Sequence, residues 1–341
     1  MSDKKPEKKT KNKSNWYLPP LKRRDFLRGS AGGMAGAWLS AWPWQQLSAQ
    51  QDLNPVTDDW DAGIVRHLLP AVNESQFLIK TSFTRALRET PRLRIQNGGS
   101  GRFIEGYLND TSGEFWQFYA TELEADTEYQ LSLQDSSGNA LCEPWPLSTF
   151  PSPQQNPEQV RVLFYTCAGG PEGEYFGIND RRGNLPIAIR QRLLRRGLSF
   201  SPQAAVANGD HIYWDLHTWQ GDQAGELSPA GQQSNFDFAA RVMGGSNEEA
   251  MKLAAGPQIA PLYGTAFRST PVYFLQDDHD HWENDSPLTY PVPWFQLQLA
   301  RTTQQLYYPE FLPDATRSPG LPYSTSSARG ELSESFGTMR Y

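Results

Sequence analysis

The stretch Val160-Arg161-Val162-Leu163-Phe164-Tyr165-Thr166-Cys167-Ala168-Gly169-Gly170 decides the reading of this chain. Its first six residues are β-branched, apolar or aromatic with one exception, which predicts a short strand. Its tail is small, polar and Gly-rich, which predicts a turn at the strand's carboxyl end. The same layout recurs twice. Gln203 to Asn208 reads as a strand and runs into Asn208-Gly209-Asp210-His211-Ile212-Tyr213. Val272 to Leu275 reads as a strand and runs into Gln276-Asp277-Asp278-His279-Asp280-His281-Trp282-Glu283-Asn284-Asp285. Between them, Leu185, Ile189, Leu193 and Leu194 mark an amphipathic helix over 185–194, and a second helix is expected around Phe236–Met243. Strands alternating with helices predict a parallel, layered α/β sheet. Ligands of such sheets bind just beyond the carboxyl ends of the strands. The intervals of 43 residues from Cys167 to Asp210 and 67 from Asp210 to Asp277 leave room for crossover helices, so the three strand tips are expected to converge.

Upstream the period changes to two. Phe77, Ile79, Thr81 and Phe83 share one face of a predicted strand, as do Tyr129, Leu131 and Leu133. Turn signals recur at Asn97-Gly98-Gly99, Asp110-Thr111-Ser112-Gly113 and Ser136-Ser137-Gly138-Asn139. Short alternating strands with regular turns predict an all-β sandwich over 60–150, and Gly113 to Leu133 resembles a fibronectin type III strand pair. Residues 151–159, rich in Pro, Ser and Gln, read as a linker, and 160–341 as the α/β part.

Charge is divided unevenly. Residues 1–28 carry ten Lys or Arg and three Asp or Glu, net +7, which leaves 21 basic and 35 acidic residues, net −14, for the rest. An acidic body disfavours nucleic-acid binding. Only two lysines, Lys80 and Lys252, lie in it. No apolar run reaches 18 residues, so a multi-pass membrane protein is excluded and no stable span is expected. The basic head runs through Arg23-Arg24-Asp25-Phe26-Leu27-Arg28 into a Gly/Ala-rich apolar stretch, Gly29 to Trp44, and resembles a twin-arginine export signal over 1–49, with cleavage expected after Ala49. That resemblance implies the twin-arginine translocase as a partner and a periplasmic or secreted location.

The third tip carries the strongest chemical signal. Five acids lie within 277–285, and no Lys or Arg lies between Arg268 and Arg301. Carboxylates crowded this closely repel one another and call for a cation. Four of the five histidines, His211, His217, His279 and His281, fall in the second and third segments, which a solvated acidic loop does not explain. Asp210 has two oxygens and can bridge two cations. Tyr213 as phenolate suits a hard ion such as Fe³⁺ better than Zn²⁺. The two cysteines, Cys142 and Cys167, allow either a disulfide or a thiolate ligand at Cys167 with a buried thiol at Cys142.

Cys167, then Gly209-Asp210-His211-Ile212-Tyr213, then Asp277-Asp278-His279-Asp280 followed by Asn284-Asp285, resemble in order and context the motifs of the PhoD-like alkaline phosphatase family of the metallophosphatase superfamily. Ser335 to Tyr341 looks like the segment leading into that family's next strand. The resemblance implies a phosphomonoester or phosphodiester hydrolase with Fe³⁺ and Ca²⁺, other divalent metals being possible. It implies Cys167, Asp210 and Tyr213 as iron ligands, and Asp210 and Asn284 toward the second cation. His279 and Asp278 fall on the catalytic side, His279 as proton donor to the leaving alkoxide or as hydrogen-bond partner of a carboxylate. Arg181 and Arg182 would hold phosphate or begin a solvated helix. The chain is expected to be monomeric, with a phosphate ester as substrate.

The resemblance also requires ligands from later strands, and no His follows His281. The α/β domain is therefore expected to be C-terminally incomplete. Two readings follow: a metallophosphatase, or a non-catalytic exported binding protein whose phosphatase part is truncated or vestigial. Nothing resembles the Cys-x-Pro-x-Arg nucleophile of sulfatases, because Cys167 precedes Ala168-Gly169-Gly170-Pro171.

Overall fold

The computed structural model describes residues 59–170, 185–214, 236–281 and 294–310. The expected export signal, Arg181, Arg182, His217, Asn284 and the segment Ser335 to Tyr341 lie outside the described residues.

Eight strands come first: β1 Val65–Val72, β2 Phe77–Phe83, β3 Arg92–Asn97, β4 Ser100–Glu105, β5 Tyr107–Leu108, β6 Phe115–Ala120, β7 Glu128–Gln134 and β8 Trp145–Ser148. They form two antiparallel sheets, in the orders β1-β2-β6-β5 and β4-β3-β7-β8. The period-two pattern is the cause. Leu93, Ile95, Leu131, Leu133 and Trp145 point into one core with Phe77, Ile79 and Phe118 from the other sheet. Each such side chain contributes about 1.5–3 kcal/mol of hydrophobic stabilisation on burial. Pro70, which cannot donate to a ladder, sits in β1 at the edge of its sheet. The Tyr129 hydroxyl accepts from the Glu124 amide at 2.8 Å, the backbone tie that immunoglobulin-like sandwiches make at a tyrosine corner.

A parallel α/β region follows, with β9 Val162–Tyr165, α1 Ile187–Leu198, β10 Ala204–Asn208, α2 Ser246–Tyr263, β11 Val272–Leu275 and α3 Trp294–Tyr307. The sheet order is β11-β10-β9 and both pairings are parallel. Ala207 lies opposite Tyr165 and Asn208 opposite Leu275, so all three carboxyl ends emerge at one edge. Among the described residues, no helix is long and apolar enough to cross a membrane.

Three expectations from sequence need correction. The helix expected around Phe236–Met243 is a series of turns, and α2 begins only at Ser246. Side-chain bonds hold those turns. Asn247 Nδ2 donates to the carbonyls of Asp237 (2.8 Å) and Arg241 (2.9 Å), and Asn247 Oδ1 accepts from the Asp237 amide at 2.8 Å. Secondly, α1 buries Arg190 and Leu194, while Leu185, Ile189 and Leu193 stay exposed. Thirdly, β2 is buried along its whole length, not on one face. Its second face, with Lys80 and Ser82, lies against the α/β region, and Leu69 of β1 and Phe115 of β6 join the core formed by α2, α3 and the parallel sheet.

Candidate metal centre

The turn after β9 is set on the turn after β10. Thr166 Oγ1 donates to the Asn208 carbonyl at 2.6 Å, the Cys167 amide to the Gly209 carbonyl at 3.2 Å, and the Gly169 amide to the Asp210 carbonyl at 3.0 Å. Cys167 (φ +53°) and Asp210 (φ +57°) both adopt the left-handed region that side chains with a Cβ avoid. Such strain of about 1–3 kcal/mol per residue persists only where surroundings enforce it. The enforcing contacts are close. A Cβ on Gly169 would overlap the His211 carbonyl oxygen, and one on Gly209 would lie 2.5 Å from Asp277 Cβ.

The β11 tip is tied in by Asp280, which is buried. Its Oδ1 accepts the amides of His211 and Ile212, both at 2.8 Å, and its Oδ2 accepts the Asp277 amide at 3.1 Å. Two more side chains hold the turns from behind. Arg190 donates to the carbonyls of Ala168 (2.7 Å) and Gly169. Gln258 of α2, fully buried, accepts the amides of Gly170 and Tyr213, each at 3.0 Å.

These ties bring Cys167, Asp210, Tyr213, Asp278 and His279 together. Cys167 Sγ donates to Asp210 Oδ2 at 3.0 Å, and the Tyr213 hydroxyl donates to the same oxygen at 3.3 Å. Asp210, Asp278 and His279 each offer one ligand atom, all within 4.8 Å of one another. The His279 ring lies against that of Tyr213, with centroids 4.2 Å apart. The other Asp210 oxygen, Oδ1, is buried and accepts no hydrogen bond. Burial raises the pKa of all three clustered acids, Cys167, Asp210 and Tyr213. Tyr213 is pushed far up, with the Asp210 charge adding to the effect, and Asp280 and Asp278 add to the rise at Asp210. Three acidic groups that hold each other's protons, with one orphaned carboxylate oxygen among them, are a donor set that a polyvalent cation would deprotonate and bind. The residues present therefore fit a metal.

Other candidates take different places. His211 is a core histidine: its Nε2 is 2.7 Å from the Leu275 carbonyl, and its ring packs on Phe274 and Tyr308. Cys142 and Cys167 are both free thiols. Cys142 is buried in the sandwich, and burial pushes its thiol up to about 12. Sequence reasoning missed Gln258, Arg190 and the part played by Asp280. The signal for Gln258 was present, as a lone amide in the otherwise apolar run Ala254 to Ala260.

No family model matches the chain, and no curated protein matches it. Among solved structures, it is similar to a purple acid phosphatase from yellow lupin (Lupinus luteus) seeds, at 12% identity and a TM-score of 0.42 over 73% of this chain and 41% of that one. It is similar also to PhoD, at 13% identity and a TM-score of 0.41 over 71% of this chain and 45% of that one. The chain thus spans less than half the length of either structure. Both likenesses are distant, and the architecture described above rests on strand order and register alone.

Proposed function

We propose that this chain belongs to a metal-dependent phosphoester hydrolase of the metallophosphatase type, with a fibronectin type III-like sandwich before its catalytic domain. The observation that carries the reading is the Asp210 carboxylate: one oxygen takes both Cys167 and Tyr213, and the other is buried and unpartnered. Cys167, Asp210 and Tyr213 would hold Fe³⁺, and Asp210 with Asn284 would reach Ca²⁺ or another divalent ion. When bound, such ions supply Lewis acidity toward phosphoryl oxygens and lower the pKa of water toward neutrality.

The chain's own residues do the rest. Asp280, Gln258 and Arg190 keep the three turns in register, so the donor set needs little reorganisation. His279, on the rim of the cluster beside Tyr213, gives a proton to the leaving alkoxide. Asp278, one of whose oxygens lies within 4.8 Å of a ring nitrogen of His279, would orient that imidazole. The sandwich reading draws support from the sheet orders and the Tyr129 tie. Export by the twin-arginine translocase to the periplasm or beyond, as a monomer, rests on Arg23-Arg24-Asp25-Phe26-Leu27 and the composition around it.

The test is hydrolysis of p-nitrophenyl phosphate and its diester by the full chain after incubation with Fe³⁺ and Ca²⁺. Turnover that a chelator removes and Asp210→Asn abolishes is the expected result. Full activity in Asp210→Asn sinks the assignment. A folded, metal-loaded chain without turnover favours the non-catalytic binding protein.

A further inference from the structure

We infer that Gln258 is a positioning residue that fixes the separation of Cys167 from Tyr213, and that the sandwich reaches the metal centre through it. The inference rests on the metal-dependent reading above. The Gln258 carbonyl oxygen has two lone pairs and uses both, one on the Gly170 amide and one on the Tyr213 amide, each at 3.0 Å. Its amide nitrogen donates to the Ala254 carbonyl at 3.0 Å, one turn back in the same helix, which sets which end of the side chain faces the turns. One side chain thus spans the Cys167 turn and the Asp210–Tyr213 turn, which come from different strands. Among the described residues neither amide has another backbone partner, so the loss of Gln258 would take from both buried donors the acceptor seen here.

The helix carrying Gln258 is itself clamped to the sandwich. Glu248 in the first turn of α2 accepts the Thr111 amide (2.9 Å) and hydroxyl (2.7 Å), and Lys252 pairs with Asp110 at 2.9 Å and with Glu248 at 2.7 Å. Asp110 in turn accepts the amides of Gly113 and Phe115 at the start of β6. The β5–β6 loop therefore sets the axial position of α2, and α2 sets Gln258. Gln258 lies outside the donor set and acts on its spacing.

Two variants of the full chain test this. Gln258→Met keeps the volume and removes the acceptor. Gln258→Glu keeps the acceptor oxygen. Amide hydrogen exchange of the metal-free protein reads the two bonds, and Fe³⁺ binding against citrate reads their effect on the centre. In Gln258→Met the Gly170 and Tyr213 amides are expected to exchange about tenfold faster or more, with Fe³⁺ affinity falling by a similar factor, while β2 and β6 amides are unchanged. Gln258→Glu should stay within about threefold of wild type in both. Unchanged exchange of the two amides in Gln258→Met overturns the inference, as does unprotected exchange of either amide in the wild type. If Gln258→Met does not fold, Gln258→Glu decides alone, and loss of protection there overturns it. A wild-type chain that takes up no Fe³⁺, with the exchange results as expected, sinks the metal-dependent reading and leaves the positioning role standing.

Discussion

Lys80 Nζ and the Glu310 carboxylate form an ion pair at 3.0 Å in which neither side chain reaches solvent. Lys80 comes from the middle of β2, and Glu310 lies just past α3. The ammonium also donates to Gln117 Oε1 (2.6 Å) and to the Gln305 carbonyl (2.7 Å), so all three of its protons are used. The other lysine of the acidic body, Lys252, likewise bridges the sandwich and the α/β region. Both lysines thus serve the junction between the two.

Lys80→Met should cost about 3–5 kcal/mol, because it takes the ammonium away from a carboxylate that is itself fully buried. The double variant Lys80→Met/Glu310→Leu should recover most of that loss. Urea unfolding of the three proteins checks this, and a single variant no less stable than wild type would show the pair to be dispensable.

His67 is fully buried in β1 against the Tyr307 ring, and burial pushes its imidazole down to about 3. The unfolded chain protonates this group near pH 6.5 and the folded chain does not. Stability is therefore full above about pH 6.5 and falls toward pH 3 by up to ~1.4 kcal/mol per pH unit. Glu248 adds a second loss at lower pH. Burial alone would raise its carboxyl, but hydrogen bonds from Lys252 and Thr111 pull it down to about 2, so its contribution fades from pH 4.5 downward. His67→Leu should flatten the pH 6.5–4.5 part of the stability curve and make the fall from pH 4.5 to 3 shallower, leaving there the share that belongs to Glu248. Denaturation midpoints at half-unit pH steps measure this, and an unchanged slope in the variant rules it out.

Asp280→Ala removes the acceptor of three amides at once. A loss of about 3 kcal/mol is expected, together with weaker Ca²⁺ and Fe³⁺ uptake as the β10 and β11 tips separate. Calorimetric melting and metal titration report the two effects. Asp280→Asn, which keeps one acceptor oxygen, should be intermediate.

Gly209→Ala combines a left-handed φ of +82° with a Cβ 2.5 Å from Asp277 Cβ. The neighbour is the base of a side chain and cannot swing away, so roughly 2–4 kcal/mol of destabilisation is expected. Gly98→Ala also has positive φ (+63°) but meets nothing within 4 Å, and should cost about 1 kcal/mol. Melting temperatures of the pair separate conformational strain from collision, and equal losses contradict the account.

The motifs were legible because local chemistry writes them. Val272 to Leu275 is a strand in the sequence and in the structure, and Cys167, Asp210, Tyr213, Asp278 and His279 were each visible as polar residues at strand ends. What misled were residues whose partners lie far along the chain. Lys80 sits in an alternating strand where a charged residue reads as solvent-facing, yet its partner is 230 residues away. Phe236–Met243 carries helical spacing, but Asn247 and Asp237 offer its backbone other partners. His211 stands inside a metal-like motif and serves the core.

By itself, then, the sequence determined the period-two sandwich and the parallel strands with their polar tips, since side-chain alternation and turn chemistry are local properties. The tertiary structure alone decided that neither face of β2 is wet, which histidine is buried, and how far Cys167 stands from Tyr213. Those depend on Asp280, Arg190, Gln258 and Glu310 arriving from remote segments to satisfy buried donors and charges, and nothing in a linear pattern encodes that pairing.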